Sequence, residues 1–180
     1  PDILTCAKGL GAGYQPIGAT LLTDRIYDAV RGGSGAFQHG FTYVGHPTSC
    51  AAALAVQRAI DADDLLANVR HQGDLLKKAL EQALGDHPHV GNIRGRGLFL
   101  GIELVAARET RAPFAPAAKV SASLASRAFQ AGLICYPGTG CADGQNGDQI
   151  LLAPPFIIDE SHRDVIVARI VQALGETLGP

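Results

Sequence analysis

The chain has 180 residues, 47% of them hydrophobic and 18% charged, with a net charge of −2. That length and apolar share suffice to bury a sizeable core in one or two compact units. No basic run exceeds Lys77 and Lys78, which excludes the charge pattern of a nucleic-acid or anionic-membrane binder and leaves a small molecule as the expected partner.

No apolar stretch reaches the roughly 20 residues of a membrane-spanning helix, and no signal-peptide pattern opens the chain. Cys6, Cys50, Cys135 and Cys141 are scattered without a CxxC pair, which reads as reduced thiols in a cytosolic protein, not as zinc ligands. The chain starts at Pro1, contains no methionine and runs at once into interior-like sequence. It therefore reads as a fragment, so the missing targeting segment carries little weight.

In chain order, PDILTCAKGLGAGYQPIGATLL predicts a short apolar strand, Lys8, a glycine turn and a second strand over Ile17 to Leu22, as a hairpin or two neighbouring strands with the lysine at the bend. An amine in that setting, with little local charge beyond Asp2, is equipped to form a Schiff base, and the pattern points to a pyridoxal phosphate enzyme. Gly9, Gly11 and Gly13 have no Cβ and let the backbone approach a flat cofactor. An ordinary solvated lysine beside a turn is the competing reading. GLGAGY is not a dinucleotide fingerprint, because its third glycine comes one residue early and no helix fits before Pro16. Nor is it a P-loop, where the lysine follows the glycines and opens a helix.

Asp24 to Val30 predicts a short helix and GGSG a flexible turn. In HGFTYVGHPTSCAAALA, Thr42 offers a hydroxyl and a backbone N–H, with Gly40 and Gly45 leaving room for an oxyanion. A strand-end threonine with only a packing role is the alternative. Pro47 opens an alanine-rich helix. Leu65, Leu66, Val69, Leu76, Leu80 and Leu84 recur at helical spacing, with Gly85 and Pro88 as the stop. GLFLGIELV predicts one strand from Gly97 to Val105, Pro116 a helix to Ala131, GLICYP a strand, and DQILLAPPF a strand ended by Pro154. A terminal helix follows, with Asp159 or Ser161 as N-cap and a stripe of Ile166, Ile170, Leu174 and Leu178.

PDILTCAKGLGAGYQPIGA, HGFTYVGHPTSCAAALA, RGRGLFLGIEL and LLAPPF, in this order and at these separations, resemble the class III aminotransferases of fold type I, the group that includes ω-amino acid and amine transaminases. The resemblance runs through the whole chain and implies about the C-terminal half of a family member. It implies an α/β fold: residues 1–60 as the C-terminal part of the large pyridoxal phosphate domain, and 61–180 as a connector helix plus a small α+β domain. It further implies that Lys8 holds pyridoxal 5′-phosphate as an internal aldimine and shuttles the proton. Thr42, helped by the Phe41 N–H, would bind the phosphate of the neighbouring subunit's cofactor in a cytoplasmic homodimer. The reaction would pass an amino group from an amino acid or amine to a keto acid.

Other features depart from the family pattern. The aspartate for the pyridinium nitrogen, the aromatic residue over the ring and the phosphate-cupping loop would all precede Pro1, so the fragment by itself is expected to be inactive. Leu151 stands where several members carry an arginine for the substrate carboxylate. Arg94 or Arg96 could supply that contact, with structural arginines of the RGRG turn as the alternative. The glycine-rich loop around Asp143 and Asp148 lacks calcium-loop spacing and reads as a solvated loop at the entrance. An aminomutase-type isomerase, a decarboxylating relative and a non-catalytic fragment are the other readings.

Overall fold

The computed structural model describes residues 1–179. By contacts the chain divides into two units, Pro1–Asp64 and Leu65–Pro180, each with its own antiparallel sheet.

In the first unit β1 (Ile3–Cys6) pairs with β2 (Ala19–Leu22), in register from Ile3 opposite Leu22 to Cys6 opposite Ala19. The second strand begins two residues later than its apolar run suggests. Ile17 is held at the turn instead, its Cγ2 2.8 Å from where a Cβ on Gly11 would stand. Helix α1 (Asp24–Gly32) follows at once, tied to the start of β1 by the Arg25–Asp2 ion pair at 2.8 Å and by the Thr23 N–H to the Asp2 carbonyl. Helix α2 (Pro47–Ala62) has proline in its first turn and His46 as N-cap, whose Nδ1 accepts from the Ser49 N–H at 3.3 Å. Only Gly11 and Ala53 of this unit are fully buried. Ile3, Leu4, Leu21 and Leu22 are 45–54% exposed, whereas a two-stranded ribbon needs further strands or a packed face for stability.

The second unit builds its own core. Its sheet has the order β3-β4-β6-β5, antiparallel throughout, from β3 (Val90–Arg96), β4 (Phe99–Leu104), β5 (Tyr136–Thr139) and β6 (Asp148–Leu152). Period-2 alternation turns Leu100, Ile102 and Leu104 of β4, with Ile150 and Leu152 of β6, into the core. A bulge between Val90 and Asn92 lets Val90 and Ile93, three residues apart, both face inward. Against this face pack α3 (Leu65–Leu84) through Leu76, Leu80 and Leu84, α4 (Val120–Gln130) through Leu124 and Ala128, and α5 (Glu160–Leu178) through Ile166, Ile170 and Leu174. Each fully buried leucine or isoleucine contributes about 1.5–3 kcal/mol. Gly73 of α3 meets Gly97 so closely that a Cβ would stand 2.3 Å from the Gly97 carbonyl carbon.

Three elements differ from their sequence expectation. The single strand expected from Gly97 to Val105 is one arm of a hairpin, because Gly97 (φ 56°) and Leu98 form a two-residue turn that folds β4 back on β3. The helix expected from Pro116 is interrupted: a 3₁₀ turn, Pro116–Ala118, ends at Lys119 in the left-handed region (φ 48°), and α4 starts after it. The GLICYP strand begins only at Tyr136, since the Gly132 and Leu133 N–H groups are still closing the end of α4.

Lys119 offers no side-chain cap to α4. Asp148, 5% exposed on β6, takes that place by accepting from the Ser121 N–H at 3.1 Å. Asp148 is thus a buried capping residue and not part of a solvated loop. Replacing it in Asp148→Ala strands that N–H next to the already unpartnered Ser121 hydroxyl. The substitution is expected to cost about 1.5–3 kcal/mol, read as a lowered denaturation midpoint with unchanged m-value; a loss below 0.5 kcal/mol, the scale of a surface change, would contradict the capping role.

Candidate active site

The amine singled out by sequence stands on a strained turn. After extended Ala7 (φ −158°, ψ −154°), Lys8 opens a single 3₁₀ turn, Lys8–Leu10, with φ 49°. Ala12 and Gly13 are also left-handed, at φ 48° and 79°. For a residue with a Cβ this region costs about 1–2 kcal/mol, and such strain gathers at functional positions. The turn is closed by the Leu10 N–H to the Ala7 carbonyl (3.0 Å) and the Gly11 N–H to the Lys8 carbonyl (3.1 Å). Helix α2 docks on it through the Gln57 Nε2–H, which donates to the Leu10 carbonyl at 3.0 Å. Lys8 is exposed, and among the described residues no carboxylate pairs with it.

A cleft of about 1000 Å³ opens in the same unit, between the end of β1, the Gln15–Thr20 segment, the Phe37–His46 loop and the first turn of α2. Cys6, two residues before Lys8, lines it together with Gly18, Phe41, His46 and Ser49; Lys8 and Thr42 are not among its walls. Thr42 lies exposed in the loop, next to Phe41. The cleft combines aromatic walls with the N-terminus of a long helix, whose dipole favours an anion although His46 already takes the Ser49 and Cys50 N–H groups. It has no acidic side chain among its walls. The residues present therefore fit the phosphate and ring of pyridoxal phosphate, and an acidic partner for the ring nitrogen has to come from elsewhere.

Arg94, Arg96 and Leu151 project from one face of the second unit's sheet, the face opposite the core. Arg94 is opposite Gly101, which is in turn opposite Leu151, and Arg96 is opposite Phe99. Arg94 is already engaged, its Nη1 2.6 Å from Glu103 Oε2 on the same face. Arg96 has no carboxylate partner among the described residues. Glu103 was not singled out from sequence, although the hairpin register, once known, places it diagonally from Arg94. His46 and Gln57 were missed too, the first because histidine is an uncommon cap and the second because a glutamine on an alanine-rich helix has no distinguishing pattern.

The loop expected to shape an entrance is closed on itself. Asp143 accepts from the N–H groups of Gln145 (2.9 Å) and Asn146 (2.7 Å) and from the Asn146 amide (2.7 Å). Among the described residues no cluster of three or more His, Cys, Asp or Glu could hold a metal ion, and no helix is long and apolar enough to cross a membrane.

The family of this mixed α/β chain is given by comparison with known proteins. The family model for aminotransferase class-III matches residues 1–174. The chain belongs to that family. An aminotransferase of Gibberella zeae is 44% identical over 99% of this chain and 35% of its own length. An uncharacterized aminotransferase of Schizosaccharomyces pombe is 42% identical over 99% of this chain and 38% of its own length. Among solved structures, a PLP-bound amine transaminase from an uncultivated Pseudomonas species is 38% identical, with a TM-score of 0.88 over 98% of this chain and 39% of that one. The chain thus carries a portion of the transaminase fold and spans little more than a third of the length of the relatives it matches.

Those hydrogen bonds, the Asn146 N–H first, then its side-chain amide and the Gln145 N–H, lower the Asp143 pKa from 3.8 to about 2. A depressed carboxylate stabilises the folded loop above its unfolded pKa and loses that contribution as pH falls through the folded one. Amide protection at Gln145 and Asn146 is therefore expected to hold at pH 3.8 and to disappear toward about 2, followed by hydrogen exchange; loss already centred at the unfolded value would show the carboxylate to be unbonded.

Proposed function

We propose that the chain is the lysine-bearing part of a pyridoxal phosphate-dependent aminotransferase that passes an amino group from an amino acid or amine to a keto acid. The observation that carries this reading is Lys8: an exposed amine with no carboxylate partner among the described residues, in the left-handed first position of a glycine turn, two residues from a cleft that suits a phosphate and an aromatic ring. Family membership supports it.

Bound pyridoxal phosphate supplies an electron sink for the pair left behind when the donor carbon loses its proton. Lys8 would be the residue that holds the group through its Nζ, and the same amine would serve as the base that takes a proton from the donor carbon and gives it back to the acceptor. Thr42 and the Phe41 N–H supply donors to phosphate oxygens. Phe41 lines the cleft and Thr42 does not; Thr42 would serve the cofactor of a neighbouring subunit in a cytoplasmic homodimer. The acidic partner of the ring nitrogen would come from the rest of the longer protein, so the 180-residue piece is expected to be inactive by itself.

Of the two arginines, Arg96 is the better donor to a substrate carboxylate, since Glu103 already occupies the Arg94 guanidinium at 2.6 Å. If Arg96 does this work, Arg96→Ala raises the KM for the keto acid about ten- to a hundred-fold, the scale of a lost charged hydrogen bond. An unchanged KM would leave Arg96 a surface residue of the hairpin.

The founding test uses the full-length protein, loaded with pyridoxal phosphate, reduced with borohydride and digested for mass spectrometry. The label is expected on Lys8, and Lys8→Ala is expected to abolish it and to lower kcat by at least about 10²–10⁴-fold. A folded, cofactor-saturated protein labelled elsewhere or nowhere would sink the proposal. Turnover that requires an external keto acid separates a transaminase from an isomerase or a decarboxylase.

A further inference from the structure

We infer that Gln57 is a positioning residue for Lys8, holding the amine-bearing turn in its left-handed geometry from helix α2; this rests on the role proposed above for Lys8.

The turn is unevenly held. Gly9 is exposed and a Cβ there would meet nothing within 4 Å, so the turn is open on that side. At Gly11 the chain is wedged, a Cβ there standing 2.8 Å from Ile17 Cγ2 and 3.3 Å from the Gln15 carbonyl. Between them the Leu10 carbonyl points away from the turn's own hydrogen bonds, which use the Ala7 and Lys8 carbonyls. Gln57 takes it at 3.0 Å, across 47 residues of sequence. It is placed to do so because it lies one helical turn after Ala53, the buried residue of α2, and so shares the face that meets the turn.

Lys8 pays the steric cost of a left-handed Cβ at φ 49°. Relaxing into the ordinary right-handed or extended regions would rotate the peptides of the turn and swing the Cα–Cβ bond that aims the amine. Such a rotation turns the Leu10 carbonyl away from Gln57. The amide therefore penalises the relaxed turn and raises the population in which Nζ is aimed as folded. The same helix carries His46, Ser49 and Cys50 of the cleft at its other end, so the turn is referenced to the element that forms the cleft wall.

The test compares wild type, Gln57→Met and Arg58→Met in the full-length protein. Methionine matches glutamine in helix propensity and in shape, carries no donor, and adds no charge near the amine. In cofactor-free Gln57→Met the Leu10 and Gly11 amides are expected to exchange about three- to ten-fold faster, the scale of one neutral hydrogen bond. With cofactor bound, the pH midpoint of the visible absorption of the Lys8-linked form is expected to shift, and kcat to fall with little change in KM. Arg58→Met, one residue along on the exposed side, should match wild type in each measurement. Unchanged exchange and an unchanged pH midpoint in Gln57→Met would overturn the inference. If wild type does not label at Lys8, the functional proposal fails instead, while the exchange measurement on the cofactor-free protein still decides whether Gln57 holds the turn.

Discussion

A side chain with a Cβ in the left-handed region is held there only by surroundings that over-determine it. At Lys8 those surroundings are two backbone hydrogen bonds of a single 3₁₀ turn, the wedging of Gly11 against Ile17 and one amide from α2. The antiparallel pairing of β1 with β2 fixes the two ends between which the turn must close, and the three left-handed residues Lys8, Ala12 and Gly13 allow it to close in so few residues. The first unit can be understood as a frame for this one bend. Its strands meet at the bend and its long helix is bonded to it through Gln57.

The two units solve stability differently. In the second, helices α3, α4 and α5 cover one face of a four-stranded sheet with a continuous aliphatic layer, which is the ordinary two-layer solution. In the first, nearly every large apolar side chain remains accessible. Exposed apolar area on that scale marks surfaces meant to be covered, in keeping with a chain that spans little more than a third of its relatives. Lys8 and the cleft beside it lie in the unit that does not complete its own core.

Charge is distributed with similar economy. Asp148 and Asp159 both serve as helix caps, one from a neighbouring strand and one from the residue before its own helix. Asp143 is spent within its loop, and Glu103 on Arg94. These four carboxylates are therefore engaged by backbone N–H groups, neighbouring side chains and one guanidinium. Lys8 and Arg96, like several other surface cations, have no carboxylate partner among the described residues.

Sequence determined the features whose cause is local. Pro47 and the alanines gave α2, the four-residue spacing of Leu76, Leu80 and Leu84 gave α3, and Asp159 gave the start of α5, because capping and helical periodicity act within a few residues. Lys8 among glycines, and the resemblance of four ordered segments to one family, pointed to the chemistry before any contact was known. Tertiary structure decided what depends on partners distant along the chain. The hairpin at Gly97 and Leu98 could not be told from a single strand, since both are apolar runs interrupted by glycine. The capping of α4 by Asp148, the pairing of Arg94 with Glu103 and the hold of Gln57 on Leu10 join residues 27, 9 and 47 positions apart. No local pattern encodes such pairs, because they exist only once sheet register and helix docking have brought the groups within hydrogen-bonding distance.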